Sequence, residues 1–540
     1  MCGILFAYTR DPENDAWYNE AALEQASTTL QARGPDASKV VSYDFEVGRA
    51  IMCFHRLAII NCSDTGMQPF EYMDSKLICS GEIYNYKDLV TEGCVGKSDT
   101  EVVLHLLANT ATSDIGQALR KLDGDFAFVY TDSSRIIAAR DPVGVRPMFF
   151  ATKASKVVAF ASEAKALVPF GFDSVHVFPP GHYWCSDATP ARVAEPLHQF
   201  ALYTDAYSDQ RTPCTFKEDL GDVTHLITDS IRKRIEHSDR PVAFLCSGGV
   251  DSSIIVSIAS QLFPERDMHA FSVEFENAHS QDSVYATELL KALPNVKHTR
   301  VILKEQDIQE LWPAVVMACE TYDATTVRAA IPMFHLAKYI AENTPYKVVL
   351  SGEGADEVFM GYSYFSCAPS VQLANLESER LVKNLHMFDL LRGDRCFAAN
   401  GLELRVPFLD RCVLRHAMSS QNRLVATEEK KLLRDAFAHV QALERTGILR
   451  RGKMRLSDGV GYSMVDSIVD VISGHDSSAT PEWKVDKERA KVEEVFLRKY
   501  GMDALKLIVK RTMPEWATAM NVPVLAGYAT GACAFGGCAL

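Results

Sequence analysis

The reactive residue nearest the start of the sequence is Cys2, which directly follows Met1. Removal of Met1 would leave a thiol and a free α-amine on one residue. Because an α-amine titrates at about pH 8 and a free thiol slightly above that, the amine can accept the thiol's proton without help from a histidine. The position therefore predicts an N-terminal nucleophile. The simpler interpretation is an ordinary cysteine near a terminus.

A second candidate site is the segment 247–253, with the sequence SGGVDSS, between a strand-like run and a helix-like run. Glycines let backbone N–H groups converge on an anion, and the start of a helix adds partial positive charge. No lysine follows the glycines, so this is not a Walker A loop, and the acidic residue within it predicts Mg²⁺ as the charge partner. The alternative is a serine-rich helix cap. The candidate phosphate-binding residues are Ser247, Gly248, Gly249, Asp251, Ser252 and Ser253.

A similar element follows at 348–357, with the sequence VVLSGEGADE. Its acidic residues come after a strand, and open α/β sheets bind ligands at the carboxyl ends of their strands. Asp356 is the predicted second Mg²⁺ ligand, and Glu353 is the predicted general base for an incoming amine. Ser351 and Gly352 complete the candidate nucleotide site. A solvated turn is the alternative interpretation.

The elements that position these residues differ between the two halves of the chain. Residues 2–185 contain short alternating strands, typical of layered antiparallel sheets, with helices predicted over 21–31 and 101–108. From about residue 214, strands predicted over 242–246, 269–273 and 347–350 alternate with helices predicted over 216–236, 251–262 and 283–293. This alternation predicts a parallel sheet. The proline-containing segment 186–213 is the predicted linker, and the uncharged tail 521–540 is predicted to be flexible.

Composition excludes several classes of function. The 540 residues include 56 basic and 70 acidic ones, so the formal net charge is -14, which opposes nucleic-acid binding. No apolar run is long enough to span a membrane, and we expect no membrane partner. The 14 cysteines lack paired spacing, which predicts reduced thiols in a cytoplasmic protein. No Cys/His spacing indicates zinc.

On these motifs the chain resembles the glutamine-dependent asparagine synthetases. The resemblance runs from Cys2 to about residue 365 and returns at 401–410, with the sequence GLELRVPFLD, and at 457–461. It implies an α+β N-terminal-nucleophile glutaminase domain, an αββα sandwich, over 2–185. It also implies an α/β parallel-sheet ATP-pyrophosphatase domain over 214–520. In the implied reaction, aspartate and MgATP form β-aspartyl-AMP and pyrophosphate, and ammonia from glutamine then displaces AMP to give asparagine.

The resemblance also implies roles for individual residues. A guanidinium suits the α-carboxylate of glutamine and carboxylates suit its α-ammonium, so the glutamine site is Arg56, Glu82 and Asp99, with Gly81 in the oxyanion hole. Leu245, Val273 and Gly352 would contact the adenosine, and Lys453 would neutralise pyrophosphate. Thr325, Thr326 and Arg328 would lie near aspartate and the aspartyl intermediate. The resemblance leaves a homodimer open.

One position departs from the family pattern. Ser80 stands where the family has asparagine, whose side-chain amide helps to form the oxyanion hole. Loss of one such donor typically costs about a hundredfold to a thousandfold in rate, so we expect a weakened glutaminase beside an intact synthetase. Three alternatives remain: a synthetase that prefers ammonia, a non-catalytic nucleotide-binding relative, and an enzyme resembling β-lactam synthetase. The segment 247–253 excludes the other class-II amidotransferases.

Overall fold

The computed structural model describes residues 1–9, 11, 19–45, 48–90, 94, 98–154, 156–186, 197–201, 215–276, 281–420, 422–423, 428–452, 462–476, 478–500 and 514. Within these ranges an antiparallel unit precedes residue 202 and a unit built on a parallel sheet follows residue 214. No helix in the described part of the chain combines the length and the apolar character needed to cross a membrane.

The strands of the first unit are β1 (Gly3–Thr9), β2 (Ala37–Phe45), β3 (Gly48–Arg56), β4 (Phe70–Tyr72), β5 (Ser75–Ile83), β6 (Gly124–Thr131), β7 (Ile136–Arg140), β8 (Phe149–Lys153), β9 (Lys156–Ala161), β10 (Ser174–Val177), β11 (His182–Cys185) and β12 (His198–Gln199). Its α-helices are α1 (Glu20–Leu30), α2 (Tyr86–Leu89), α3 (Glu101–Ala108) and α4 (Ile115–Leu119). The strands form two sheets, in the orders β10-β8-β9-β1-β3-β2 and β12-β11-β7-β6-β5-β4.

The two sheets lie face to face between helices because side chains alternate along each strand. On β1, Ile4 and Phe6 pack between the sheets with Ile78 of β5. Leu5, between them in sequence, packs on the other face with Leu30 of α1. Helix α3 covers the outer face of the second sheet in the same way. This arrangement confirms the predicted αββα sandwich.

Part of the segment predicted to be a linker belongs to the second sheet. His198 and Gln199 form β12, which pairs with Tyr183 and His182 of β11. The sandwich therefore extends beyond residue 185. The rest of that segment, at 187–196 and 202–214, lies outside the described residues, as does the predicted flexible tail 521–540.

The second unit is built on strands β13 (Val242–Leu245), β14 (Met268–Phe275), β15 (Val296–Leu303), β16 (Val348–Leu350) and β17 (Glu403–Arg405). They pair in parallel in the order β15-β14-β13-β16-β17. The order reverses between β13 and β16, and ligands bind at such reversal points in open α/β sheets. The predicted parallel sheet is confirmed.

Helices surround this sheet: α5 (Phe216–Glu236), α6 (Val250–Leu262), α7 (Gln281–Lys291), α8 (Glu305–Cys319), α9 (Ala324–Asn343), α10 (Ala355–Val358), α11 (Val371–Asn384), α12 (Asp389–Ala398), α13 (Arg411–Ser419), α14 (Lys431–Ala436), α15 (Gln441–Arg445), α16 (Tyr462–Ser473) and α17 (Pro481–Tyr500). The predicted helices, and the predicted strands of this sheet, are present, and none of their ends moves by more than two residues.

The two units share a continuous apolar core. Met1, Leu57 and Val143 of the first unit lie in the same buried cluster as Phe244 and Leu350 of the parallel sheet. Burial of apolar surface between the units stabilises their contact in the same way as it stabilises each core. The start of the chain is therefore held against the second unit.

Candidate functional sites

Cys2 lies at the contact between the two units and is held through its backbone. Its carbonyl oxygen accepts hydrogen bonds from Ser80 Oγ at 2.8 Å and from Arg33 Nε at 3.1 Å. Its thiol faces the carbonyl of Leu57 at 3.8 Å. Arg33 also pairs with Asp394 of the second unit at 2.7 Å. Both units therefore help to position the predicted nucleophile.

The ionisation of this region depends mainly on burial. Burial raises the pKa of the Cys2 thiol, while the nearby terminal amine opposes that shift. Burial also lowers the pKa of the Met1 amine to about 6, although Glu403, 3.9 Å away, raises it. Burial at the start of the chain thus disfavours the charged forms of both the Met1 amine and the Cys2 thiol while Met1 is in place.

Ser80 and Gly81 belong to β5, and Ser80 contacts Cys2. An added Cβ on Gly81, whose φ is +154°, would lie 2.1 Å from the Asp125 carbonyl oxygen, so a larger residue does not fit there. Ser80 is buried, and its hydroxyl has one proton to donate, which the Cys2 carbonyl accepts. In this arrangement the Ser80 hydroxyl positions the predicted nucleophile through its backbone and is not a free donor for an oxyanion.

Arg56, at the end of β3, is anchored to the loop that follows it. Its Nη1 donates to the Ser63 carbonyl at 2.6 Å, and its Nη2 donates to the Asn61 carbonyl. An added Cβ on Gly66 would lie 2.2 Å from Nη2, so this glycine makes room for the guanidinium. Arg56 therefore fastens the loop that contains Asn61, Ser63 and Gly66.

Glu82 and Asp99 meet in a buried pocket and face cations from the second unit. His237, which follows α5, places Nε2 3.1 Å from Glu82 Oε2 and 3.3 Å from Asp99 Oδ2. Arg405 of β17 places Nη2 3.3 Å from the same Glu82 oxygen. Asp99 also accepts a hydrogen bond from the Ile83 N–H at 2.7 Å. The two carboxylates predicted to bind an α-ammonium are therefore already paired.

The charges in this pocket shift each other's ionisation. Burial alone would lower the pKa of His237, but Asp99 and Glu82 outweigh it and raise that pKa to about 9. Burial, Glu403 and Asp99 raise the pKa of Glu82 to about 7, against the opposing effect of Arg405. The two carboxylates therefore favour the imidazolium form of His237.

The predicted phosphate loop forms a tight turn before α6. An added Cβ on Gly248, whose φ is +79°, would lie 2.2 Å from the Asp282 carbonyl oxygen. Gly249 caps α6, and its N–H donates to Ser247 Oγ at 3.3 Å. The Ser247 N–H donates to Ser252 Oγ at 3.1 Å. Strand, glycine turn and helix follow one another as predicted for an anion-binding loop.

The second glycine loop touches the first. Gly352 follows β16, and an added Cβ there would lie 2.8 Å from Asp251 Cβ. Leu245 ends β13, Val273 lies near the end of the neighbouring β14, and Ser351 follows β16. The structure therefore brings the candidate nucleotide residues to one end of the sheet. The remaining candidate, Lys453, lies outside the described residues.

Lys430 joins the two predicted Mg²⁺ ligands. Its Nζ lies 2.5 Å from Asp251 Oδ2 and 2.6 Å from Asp356 Oδ1. Burial alone would lower the pKa of Lys430, but these carboxylates outweigh it and raise the pKa. Two converging carboxylates suit a hard divalent cation, so the donor set fits Mg²⁺. Lys430 could not be predicted from the sequence, because the EEKK run at 428–431 has the composition of a solvated surface.

Glu353, the predicted base, lies in the second glycine loop and faces Arg392 of α12. Its carboxylate oxygens lie 3.3 and 3.4 Å from Arg392 Nη2. Burial raises the pKa of Glu353, while Arg392 opposes the shift. A raised pKa brings a carboxylate closer to the range in which it can accept a proton from a reacting amine.

The residues predicted to lie near aspartate begin α9. Thr326 donates through its N–H and its hydroxyl to Asp323, which caps the helix, at 3.0 and 2.5 Å. Thr325 is half-buried beside it. The Arg328 guanidinium forms an ion pair with Glu488 of α17, with Nε 2.8 Å from the carboxylate. The three residues are therefore adjacent, and α17 holds one of them.

Known proteins match both units. The sequence profile for asparagine synthase matches residues 222–378 and 368–499, and that for a glutamine amidotransferase domain matches residues 1–186. A probable glutamine-hydrolysing asparagine synthetase of Acanthamoeba polyphaga mimivirus is 35% identical over 507 residues, or 87% of this chain and 90% of that protein. The enzyme of Mesocricetus auratus is 36% identical over 497 residues, or 85% and 84%. A probable enzyme of Schizosaccharomyces pombe is 33% identical over 571 residues, or 96% and 97%.

Proposed function

The chain belongs to the family of glutamine-hydrolysing asparagine synthetases, and we propose how its residues divide the work of that reaction. The enzyme is an ATP-dependent ligase that uses glutamine as its nitrogen donor. One unit releases ammonia from glutamine. The other activates the side-chain carboxylate of aspartate as an adenylate, which ammonia converts to asparagine. A cytoplasmic location, supported by free thiols at the described cysteines, and a homodimer are further parts of the proposal.

In the glutaminase half, Cys2 without Met1 attacks the amide carbon of glutamine and forms a thioester while ammonia leaves. The free α-amine of Cys2 takes the thiol proton and returns it to the leaving nitrogen. The Gly81 N–H stabilises the oxyanion, and Ser80 holds the Cys2 carbonyl at 2.8 Å. Glu82 and Asp99 bind the α-ammonium, and Arg56 binds the α-carboxylate.

In the synthetase half, the loops 247–253 and 351–352 bind the phosphates of ATP. Asp251 and Asp356, which pair with Lys430 in the structure, would hold Mg²⁺, and the ion would offset the charge of the phosphates. Thr325, Thr326 and Arg328 orient aspartate, and Glu353 accepts a proton from the attacking ammonia. Lys453 pairs with the released pyrophosphate.

The contacts of Arg405 support this division most directly. Its carbonyl accepts the Ser351 N–H at 2.9 Å in the nucleotide site, and its guanidinium lies 3.3 Å from Glu82 in the glutamine pocket. One residue therefore touches both sites, across the contact where Cys2 is held. We infer that ammonia released beside Cys2 crosses this contact region to reach the synthetase unit.

A second candidate function, synthesis that prefers free ammonia, is favoured by the Ser80 hydroxyl. Because that hydroxyl donates to the Cys2 carbonyl, the oxyanion would lack the side-chain donor that the family supplies with asparagine. Loss of such a donor costs about a hundredfold to a thousandfold in rate. Glutamine use would then be slower than ammonia use, while ATP and aspartate are consumed in the same way.

A two-donor assay tests these proposals. Pyrophosphate release is measured with aspartate and MgATP plus either glutamine or ammonium, in the wild-type enzyme and in Cys2→Ala. We expect the wild type to use both donors and Cys2→Ala to lose only glutamine use. Equal loss with both donors in Cys2→Ala would contradict the assigned nucleophile. Failure of the wild type with both donors would point to a non-catalytic nucleotide-binding protein.

A further inference from the structure

His237 comes from the synthetase unit, yet its ring lies inside the pocket proposed for glutamine. It is the residue that follows α5, and only 8% of its surface is exposed. Its Nε2 lies 3.1 Å from Glu82 and 3.3 Å from Asp99, the carboxylates proposed to bind the α-ammonium of the substrate. When protonated, the His237 ring therefore makes the same contacts with both carboxylates that the α-ammonium of glutamine would make.

We propose that the His237 imidazolium is an internal competitor of the α-ammonium of glutamine, so that glutamine binds only when the ring leaves the two carboxylates. The proposal rests on the glutamine-binding roles assigned above to Glu82 and Asp99. His237 is thereby a residue that sets the preference between glutamine and ammonia. Free ammonia does not bind at the α-ammonium site. The competition therefore slows the use of glutamine and leaves the use of ammonia unchanged.

Several contacts hold the ring in this position. The rings of Tyr84 and Tyr86 make T-shaped contacts with it, with centroids 5.2 and 5.4 Å away at interplanar angles of 70° and 72°. The carbonyl of His237 accepts a hydrogen bond from Arg405 Nη1 at 2.6 Å. The N–H of His237 donates to the Lys233 carbonyl at 3.0 Å. Because the backbone is anchored at both groups, side-chain rotation is the simplest movement that frees the carboxylates.

Arg405 keeps a positive charge beside Glu82 when the His237 ring is displaced. Its guanidinium stays 3.3 Å from Glu82 and neutralises one carboxylate whichever cation is present. The imidazolium and the α-ammonium then exchange as the second positive charge. Glu82 and Asp99 therefore face two positive groups before and after glutamine enters, and neither carboxylate is left unpaired.

The test compares His237→Gln, which removes the charge and retains a polar side chain, with His237→Lys, which retains a cation. His416→Gln is the matched control, because His416 also pairs with a buried carboxylate, Asp219 at 2.7 Å, but on α13 of the synthetase unit. The KM and kcat for glutamine and for ammonium are measured for each enzyme. Glutamine binding at equilibrium is measured in a Cys2→Ala background with and without His237→Gln.

We expect His237→Gln to lower the KM for glutamine by about tenfold, the gain for a pocket that is open one tenth of the time in the wild type. The kcat with ammonium should stay close to the wild-type value. His237→Lys should keep the high KM, and His416→Gln should change the two donors equally. In the Cys2→Ala background, His237→Gln should tighten glutamine binding by a similar factor.

An unchanged or higher KM for glutamine in His237→Gln, together with unchanged or weaker equilibrium binding of glutamine and intact ammonium kinetics, would overturn the competition. A metal ion could also use this group, since ligand atoms of Glu82, Asp99 and His237 all lie within 4.8 Å of one another. Improved glutamine use after dialysis against a chelator and return of MgATP would therefore overturn the proposal in favour of a bound ion. Failure of the glutaminase assignment itself would show separately, as glutamine use that survives Cys2→Ala.

Discussion

The guanidinium of Arg405 lies 3.3 Å from the carboxylate of Glu82, although one residue belongs to the parallel sheet and the other to the sandwich. Arg405 Nε also donates to Glu403 at 2.8 Å, and Nη1 donates to the His237 carbonyl at 2.6 Å. The side chain is fully buried. A buried cation with this many acceptors cannot be removed without leaving carboxylates and carbonyls unpaired.

Arg405→Met should therefore destabilise the protein strongly. The loss of one partner from a buried ion pair costs about 3 to 5 kcal/mol, because the remaining charge stays buried. The measurement is the free energy of unfolding in urea. Arg232→Met is the control, since Arg232 pairs with Asp229 at 3.2 Å on the surface and such pairs contribute about 0 to 1 kcal/mol. Equal destabilisation in both variants would contradict the structural role of Arg405.

Substitutions at Ser80 should change glutamine use in opposite directions. Ser80→Asn restores the side-chain amide of the family beside Gly81, and we expect glutamine-dependent turnover to rise, up to about the hundredfold that one oxyanion donor contributes. Ser80→Ala removes the hydrogen bond to the Cys2 carbonyl and should lower that turnover. The measurement is the ratio of glutamine-dependent to ammonia-dependent rates. The same ratio in wild type and both variants would exclude any role of Ser80 in the glutaminase.

Lys430→Met should abolish ATP-dependent chemistry and spare the glutaminase. The substitution removes a buried ammonium that pairs with both Asp251 and Asp356, and so removes a positive charge beside the site proposed for the phosphates of ATP. We expect pyrophosphate release with ammonium to fall by about a hundredfold or more. Glutamine hydrolysis without ATP reports on the other unit and should persist.

Lys431→Met is the matched control for that variant. Lys431 is adjacent in sequence, but it pairs with Asp435 at 2.8 Å near the surface and does not contact the predicted Mg²⁺ ligands. Its pyrophosphate release should stay within about twofold of the wild type, as expected for a surface ion pair. Similar losses in both lysine variants would argue against a specific role of Lys430.

The free energy of unfolding should depend on pH because His237 titrates. A histidine in an unfolded chain titrates at about pH 6.5. Burial would lower the folded-state pKa, but Asp99 and Glu82 raise it to about 9. A raised folded-state pKa contributes stability that is complete below about pH 6.5 and is lost as the pH rises through about 9. Unfolding free energies between pH 6 and about pH 9.5 should therefore fall more steeply in the wild type than in His237→Gln. The same pH dependence of the unfolding free energy in both proteins would contradict a protonated His237 in the folded state.

Much of the fold could be predicted because the signals were local. Helix α5 was predicted over 216–236 and occupies Phe216–Glu236, since its apolar periodicity and its starting threonine lie within one short window. The order of strand, glycine turn and helix around 247–253 was also readable, because each element depends on its own residues. The strand at His198–Gln199 was not predicted, because a two-residue edge strand has no periodicity of its own.

The sequence by itself determined the chemistry that is available: a cysteine behind Met1, a lysine-free phosphate loop, and acidic residues after two strands. The tertiary structure decided which charges meet. His237, Arg405 and Lys430 each pair with carboxylates that lie far away in sequence, at separations no local pattern encodes. The physical reason is that a buried charge is stable only beside its partner, and the partner is supplied by packing between units and not by neighbours along the chain.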